Sequence, residues 1–247
     1  MLLVAHPQGR VAVAQPSHGW MCGQLGRAWG NELAGTVEPY EEVVLAAEQH
    51  DAVWTDWELA PTLDRETGLP HAVFDVPMAL RLEMYDRAPG ELAVQSRYAA
   101  LLVSLFRVSF FDVRESGEVG AYLARARAQQ AELRATLAAT DDEIGRNWHL
   151  LRVWDTLSLD LLVDRIPRVR EGVPAAGGGR IDVTIDRRGP EYTLDPWPFR
   201  DDRVVLRTEG RLLERRFDDE QRMREALQRA PWVDLEYELV PTGSRAR

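Results

Sequence analysis

Four polar residues sit at the pivots of otherwise apolar segments. They are His18 in QPSHGW, the doublet His50-Asp51 in VVLAAEQHDAVW, and Asp155 in LLRVWDTLSLDLL. Imidazole nitrogen and carboxylate oxygen together suit a divalent transition metal (Mn, Fe, Ni or Zn) better than calcium. A His and an Asp adjacent at a helix end can both reach one ion. Asp155 is flanked by Leu150, Leu151, Val153 and Trp154 on one side and Leu157, Leu159, Leu161 and Leu162 on the other. Helical phase places Leu151, Leu159 and Leu162 near its face, where a carboxylate is costly to bury without a partner. Two readings stay open here. Either the four residues hold an ion, or Asp155 pairs with an Arg such as Arg27 while both histidines are hydrogen-bonded core residues.

Around these residues lies an aromatic set. The chain has eight Trp, a high number for 247 residues. Trp20 and Trp154 neighbour candidate ligands, and Trp54 and Trp57 follow the His-Asp doublet on a Pro-rich stretch with Asp56, Glu58 and Asp64. Such rings either wall a pocket for a small molecule or fill the core. Arg27, two and a half helical turns after His18, is a candidate anion contact or a surface ion pair. Ser104 lacks a Gly-x-Ser-x-Gly elbow, so a Ser hydrolase using His71 or His149 has little support.

Composition removes other chemistries. All 30 basic residues are Arg, so there is no Walker A, Schiff-base or general-base lysine. Cys22 is the single cysteine, which excludes an internal disulfide and a thiolate zinc cluster, and a buried place on a helix is expected for it. A net charge of -10 argues against nucleic-acid binding. The N-terminus lacks a signal-peptide pattern and no run of eighteen apolar residues exists, so a cytoplasmic protein off the membrane is expected.

The elements that must position these residues read as follows. Residues 1–13 form a hairpin. Helices are expected from Ser17 as N-cap, over 37–51, 77–87, 96–111, 116–139 and 141–164, with irregular chain over 54–77. The glycines of CGQLGRAWG weaken the first helix. VPAAGGGR (173–180) reads as a linker or loop. Beyond it RIDVTIDRR alternates as a strand, RVVLRTEGRLLERRF reads as two strands turning at Glu209-Gly210, DDEQRMREALQRA as a helix capped by Asp218, and WVDLEYELVP as a last strand. DPWPF is expected to dock this piece onto the helices. The expectation is a mainly α fold: a helical body over 1–172, a small α+β appendage over 180–242, and a disordered tail over 243–247.

The order His, His-Asp, Asp resembles the HD-domain superfamily of metal-dependent phosphohydrolases, which implies an HD-like helical bundle around one or more ions. Separately, QPSHGWMCGQLGRAWG, VVLAAEQHDAVWTDWELAPTLDRETGLP, YAALLVSLF, WHLLRVWDTLSLDLL and DPWPF resemble DUF3891, a bacterial family of unknown function. If the site is catalytic, generic metal chemistry has His18, His50, Asp51 and Asp155 bind the ion and Asp51 steer a proton. Trp20, Arg27, Trp54, Trp57 and Phe106 are the candidate pocket residues, for a small and phosphorylated molecule. Two departures accompany it: Val53 stands where these motifs often have Gly, and Phe106 where the family tends to have His. Phe106 speaks against a di-iron oxygenase. The expectation is therefore a metal-dependent, phosphohydrolase-like enzyme, its activity intact or reduced, with a non-catalytic small-molecule-binding or regulatory protein as the alternative.

Overall fold

The computed structural model describes residues 1–112 and 114–244. In chain order it contains β1 (Leu2–His6), β2 (Gly9–Val13), α1 (Gln15–Ala28), α2 (Tyr40–Gln49), α3 (Thr55–Leu59), β3 (Leu63–Asp64), β4 (Leu69–Pro70), α4 (Met78–Ala93), α5 (Arg97–Val108), α6 (Gly117–Ala135) and α7 (Asp141–Leu162). There follow β5 (Arg168–Pro174), β6 (Arg180–Arg188), β7 (Glu191–Asp195), β8 (Val204–Leu213), α8 (Glu220–Arg229) and β9 (Trp232–Pro241). Of the tail expected to be disordered, residues 245–247 lie outside the described residues.

A seven-stranded sheet in the order β1-β2-β8-β9-β7-β6-β5 runs through the molecule. Its pairings are antiparallel except β7 with β9. The N-terminal hairpin joins the C-terminal strands through Arg10, Val11 and Ala12 of β2, opposite Leu213, Leu212 and Arg211 of β8. This overturns the expectation of a mainly α, HD-like helical bundle with a small β-rich appendage: the sheet is a major layer built from both ends of the chain. Two of its strands escape a pattern reading. REGVP ends β5 after a register shift between Arg170 and Val173, and EYTLD of β7 is only five residues long.

β8 corrects another expectation, because it is one ten-residue strand with no turn at Glu209-Gly210. A Cβ at Gly210 would lie 2.6 Å from Val11 Cγ1 and 2.8 Å from the Ala12 carbonyl oxygen. Glycine is there so that β2 can lie close against β8. The stretch read as a linker is the end of β5 and a short loop closed by Ala175 N–H to Gly179 C=O at 2.9 Å.

Against this sheet the helices α1, α2, α5 and α7 pack on one another. Helix α1 begins at Gln15, earlier than expected, with Ala14 at the N-cap and Pro16 in the first turn. It also lies on β8, where Thr208 Oγ1 donates to the Ser17 carbonyl at 3.2 Å. Its glycines serve close approach. A Cβ at Gly19 would stand 2.6 Å from the Glu48 carbonyl oxygen, and one at Gly23 would meet the Glu48 side chain at 2.1 Å. Helix α2 therefore lies directly on α1. Helix α5 is buried nearly all round, and α7 starts with a Thr140–Glu143 capping box. Phe199 of DPWPF packs edge-on against Trp29 at the end of α1, with Gly30 N–H donating to the Pro198 carbonyl at 2.9 Å. One large apolar cluster spans helices and sheet, and a smaller one joins Ala12 and Leu213 of the sheet to Leu227 of α8.

Candidate metal centre

His18 comes from the first turn of α1, His50 and Asp51 from the end of α2, and Asp155 from the middle of α7. All four are buried and their polar atoms converge. His18 Nε2 lies 3.0 Å from Asp155 Oδ1 and 3.7 Å from Asp51 Oδ2. His50 Nε2 lies 3.4 Å from each of the same two oxygens. Ligands held about 2.1 Å from an ion stand about 3.0 Å apart at right angles and about 3.4 Å apart at tetrahedral angles. The four separations fall close to these values. His18, Cys22 and His50 also place donor atoms within 4.8 Å of one another, a buried group that could hold a metal ion.

The outer nitrogens fix the ring tautomers. His50 Nδ1–H donates to the Ala47 carbonyl at 2.8 Å. Ser158 Oγ–H donates to the Asp155 carbonyl at 2.9 Å, so its oxygen accepts from His18 Nδ1–H, also at 2.9 Å. Cys22 Sγ, 3.2 Å from Ser158 Oγ, is then the donor of that pair. Both Nε2 atoms accordingly turn lone pairs toward carboxylate oxygens, and His50 Nε2 has no hydrogen-bond partner among the described residues. Lone pairs facing one another across 3.0 to 3.4 Å require a cation between them: a proton or a metal ion.

Without an ion, the electrostatics favour the proton. Burial lowers the His18 pKa, but Cys22 and the Asp155 carboxylate raise it further, and the net direction is up. Burial pushes the Cys22 thiol up as well, so the thiol is neutral near pH 7 and Asp155 is the group that holds a proton on His18. For His50, burial is outweighed by Asp51 and Asp155, again with a net rise. Burial works against ionising Asp51 and Asp155, yet His50 and Arg107 for the first, and the two imidazoles for the second, hold both below the usual carboxylate range.

Arg107 on α5 completes the cluster. Its guanidinium donates to Asp51 Oδ1 and to the His50 carbonyl oxygen, and lies 4.5 Å over the Tyr85 ring. The Phe106 ring meets His50 edge-on at 5.0 Å. Beside them opens a cavity of about 360 Å³ reached by His18, Asp51 and Asp155. Trp54 and Phe106 line it, with Tyr85, Phe110, Phe111 and Leu159.

Other sequence candidates lie elsewhere. Arg27 pairs with Glu48 at 2.5 Å and is not on the cavity wall. Trp20 is 44% exposed and also off the wall. Trp57 backs Trp54 at 5.9 Å without lining the cavity. Ser104 accepts from Gln130, His149 meets Arg180, and Asp56 pairs with Arg87, all away from the cluster. Glu58 is buried behind it, accepting from the Gln15 N–H at 2.8 Å. Sequence reasoning passed over Arg107, Ser158 and Gln15. Arg107 had a signal: a charge inside the apolar run LLVSLFRV, which needs a buried partner as much as Asp155 does.

Residues 1–215 match a family model described as a protein of unknown function, DUF3891. No curated protein and no solved structure matches the chain.

Proposed function

The chain belongs to DUF3891, and within that family of unknown function we propose that it is a metal-dependent hydrolase acting on a small phosphorylated molecule. The observation that carries this reading is the ring of four donor atoms, with both imidazole Nε2 atoms facing inward, beside a cavity. We assign His18, His50, Asp51 and Asp155 as ligands of one divalent ion: Mn, Fe, Ni or Zn. The ligand order, which resembles that of HD-type phosphohydrolases, supports the same class. When bound, such an ion brings the pKa of a coordinated water toward neutrality and polarises a phosphoryl oxygen.

The chain's own residues supply the rest. Arg107 holds Asp51 Oδ1 and leaves Oδ2 toward the cluster, so Asp51 steers the proton released as a water oxygen bonds to phosphorus. The ester oxygen then leaves as an alcohol and takes a proton back. Two carboxylates and one guanidinium leave the cluster one negative charge, and a divalent ion makes it one positive, which favours an anionic substrate.

The test is elemental analysis of untagged protein beside His50→Ala and Asp155→Ala. About one equivalent of metal, lost in both variants, is expected. Unchanged metal in Asp155→Ala, or none in folded wild type after reconstitution, removes the reading. A second reading, a non-catalytic small-molecule-binding or regulatory protein, is favoured by the Arg107–Asp51 pair, which already neutralises one carboxylate, and by Phe106 against His50. It predicts folded, metal-free protein that still binds a ligand in the cavity.

A further inference from the structure

The walls of the cavity say what kind of molecule fits. Six aromatic side chains face it: Trp54, Phe74, Tyr85, Phe106, Phe110 and Phe111. Phe74 is 58% exposed and Phe110 53% exposed, so large apolar groups at the cavity stand in water. A flat apolar body laid against them would remove that surface from water. Apolar and aromatic side chains outnumber polar ones on the wall, and of the polar ones Asp51 and Arg107 already bond each other. A polyol or sugar laid against the six aromatic rings would leave its hydroxyls there without a hydrogen bond, at a cost that accumulates with each one.

One wall group is a cation with no acidic partner among the described residues. Arg81, on the first turn of α4, is partly buried and lines the cavity. Its only side-chain bond among the described residues is a weak one to Met78 Sδ at 3.7 Å, and its Nε is buried without a partner. Glu115 also lines the cavity, exposed and without an ion pair to Arg81 among the described residues. Gln15, on the same first turn of α1 as His18, also lines the cavity and is buried, with its amide Nε2 unpartnered among the described residues. A guanidinium with an unused donor beside an aromatic wall is a seat for a carboxylate or phosphate oxygen.

We infer that the ligand of this cavity is an aromatic anion: a flat ring system lying on the aromatic wall, with one anionic group on Arg81, and not a sugar phosphate or polyol. The inference deepens the proposed function, since it rests on this cavity being that function's substrate site. Its test reads binding alone, so the two fail separately.

Calorimetric titrations would use whole protein, before and after chelation, with three probes: 2-naphthoate, the neutral 2-naphthalenemethanol, and glycerol 3-phosphate. Naphthoate should bind at least about tenfold more tightly than the alcohol, the worth of one charge-assisted hydrogen bond. Arg81→Gln should erase that difference without lowering the melting temperature. Glycerol 3-phosphate should bind far more weakly than naphthoate. Absence of naphthoate binding, equal binding in Arg81→Gln, or glycerol 3-phosphate binding as tight as naphthoate overturns the inference. Arg81-dependent naphthoate binding in protein that never holds metal keeps it while removing the hydrolase.

Discussion

At the scale of the residue, the cluster is a problem in charge compensation, and Arg107 and the two imidazoles solve it differently. Arg107 is a fixed cation for Asp51. Replacing it with Met leaves Asp51 buried without its guanidinium, and a loss of about 3–5 kcal/mol in urea unfolding of metal-free protein is expected. A change within about 0.5 kcal/mol of wild type would mean that the pair contributes little. The imidazoles are cations only while protonated, and their pKa values are raised. In metal-free protein their contribution to stability is therefore complete below the unfolded value of about 6.5 and is lost as pH rises through the folded values. A bound ion needs both rings neutral. Metal affinity should accordingly rise with pH across the same window, by about tenfold per unit for each proton displaced. Metal titrations at several pH values would measure it, and a pH-independent affinity would show that no imidazole proton is displaced. Ser158→Ala, which frees the His18 ring, should weaken metal binding about 10–100-fold with little loss of fold.

At the scale of the element, the cluster exists because α1 and α2 touch along a glycine face. Gly19→Ala drives a methyl into the Glu48 carbonyl, which is backbone and cannot swing aside. We expect a loss of about 1–3 kcal/mol together with weaker metal uptake, because His18 and His50 move apart. Gly145 in α7 has nothing within 4 Å of an added Cβ, so Gly145→Ala should stabilise by about 0.5–1 kcal/mol. Equal effects of the two in thermal unfolding would remove the packing argument. These glycines also show what was legible in the chain. Asp155 and Arg107 announce themselves locally, as charges in apolar helices, and period alone finds α5 and α7. A glycine has no such local meaning. In α1 it reads as helix weakness and in β8 as a turn, yet at Gly19 and Gly210 its reason is a neighbour distant in sequence. Arg27 misleads for the same reason, since its spacing from His18 cannot reveal that Glu48 is nearer. The cavity is least legible of all, because its wall is assembled from α1, α4, α5, α7 and the loops between them.

At the scale of the whole molecule, the order of strands decides how the chain unfolds. Strand β2 pairs with β8, and α1, which carries His18, lies on β8 as well. The core residues Val183, Ile185, Leu194, Phe199, Leu206 and Leu239 come from the C-terminal third and belong to the same apolar cluster as Trp54 and Trp154. Cutting the chain at residue 172 would therefore take away the surface on which α1 rests and leave β2 as an open edge facing water. The fragment 1–172 is expected to keep part of its helix content and lose fixed packing, seen as weak near-UV dichroism and dye binding. Intact protein, by contrast, should unfold in urea in one step, with far-UV dichroism and Trp emission coinciding. Trp29, Trp54 and Trp154 report the helices, and Trp197 and Trp232 the C-terminal part. Metal should shift both signals together, because an ion that binds only the folded cluster stabilises everything that unfolds with it. If fragment 1–172 unfolds cooperatively alone and binds metal with wild-type affinity, the sheet is not what holds the cluster together. The packing of α1, α2, α5 and α7 would then have to suffice, and the place of His18 would be set by Gly19 and Gly23 without help from β8.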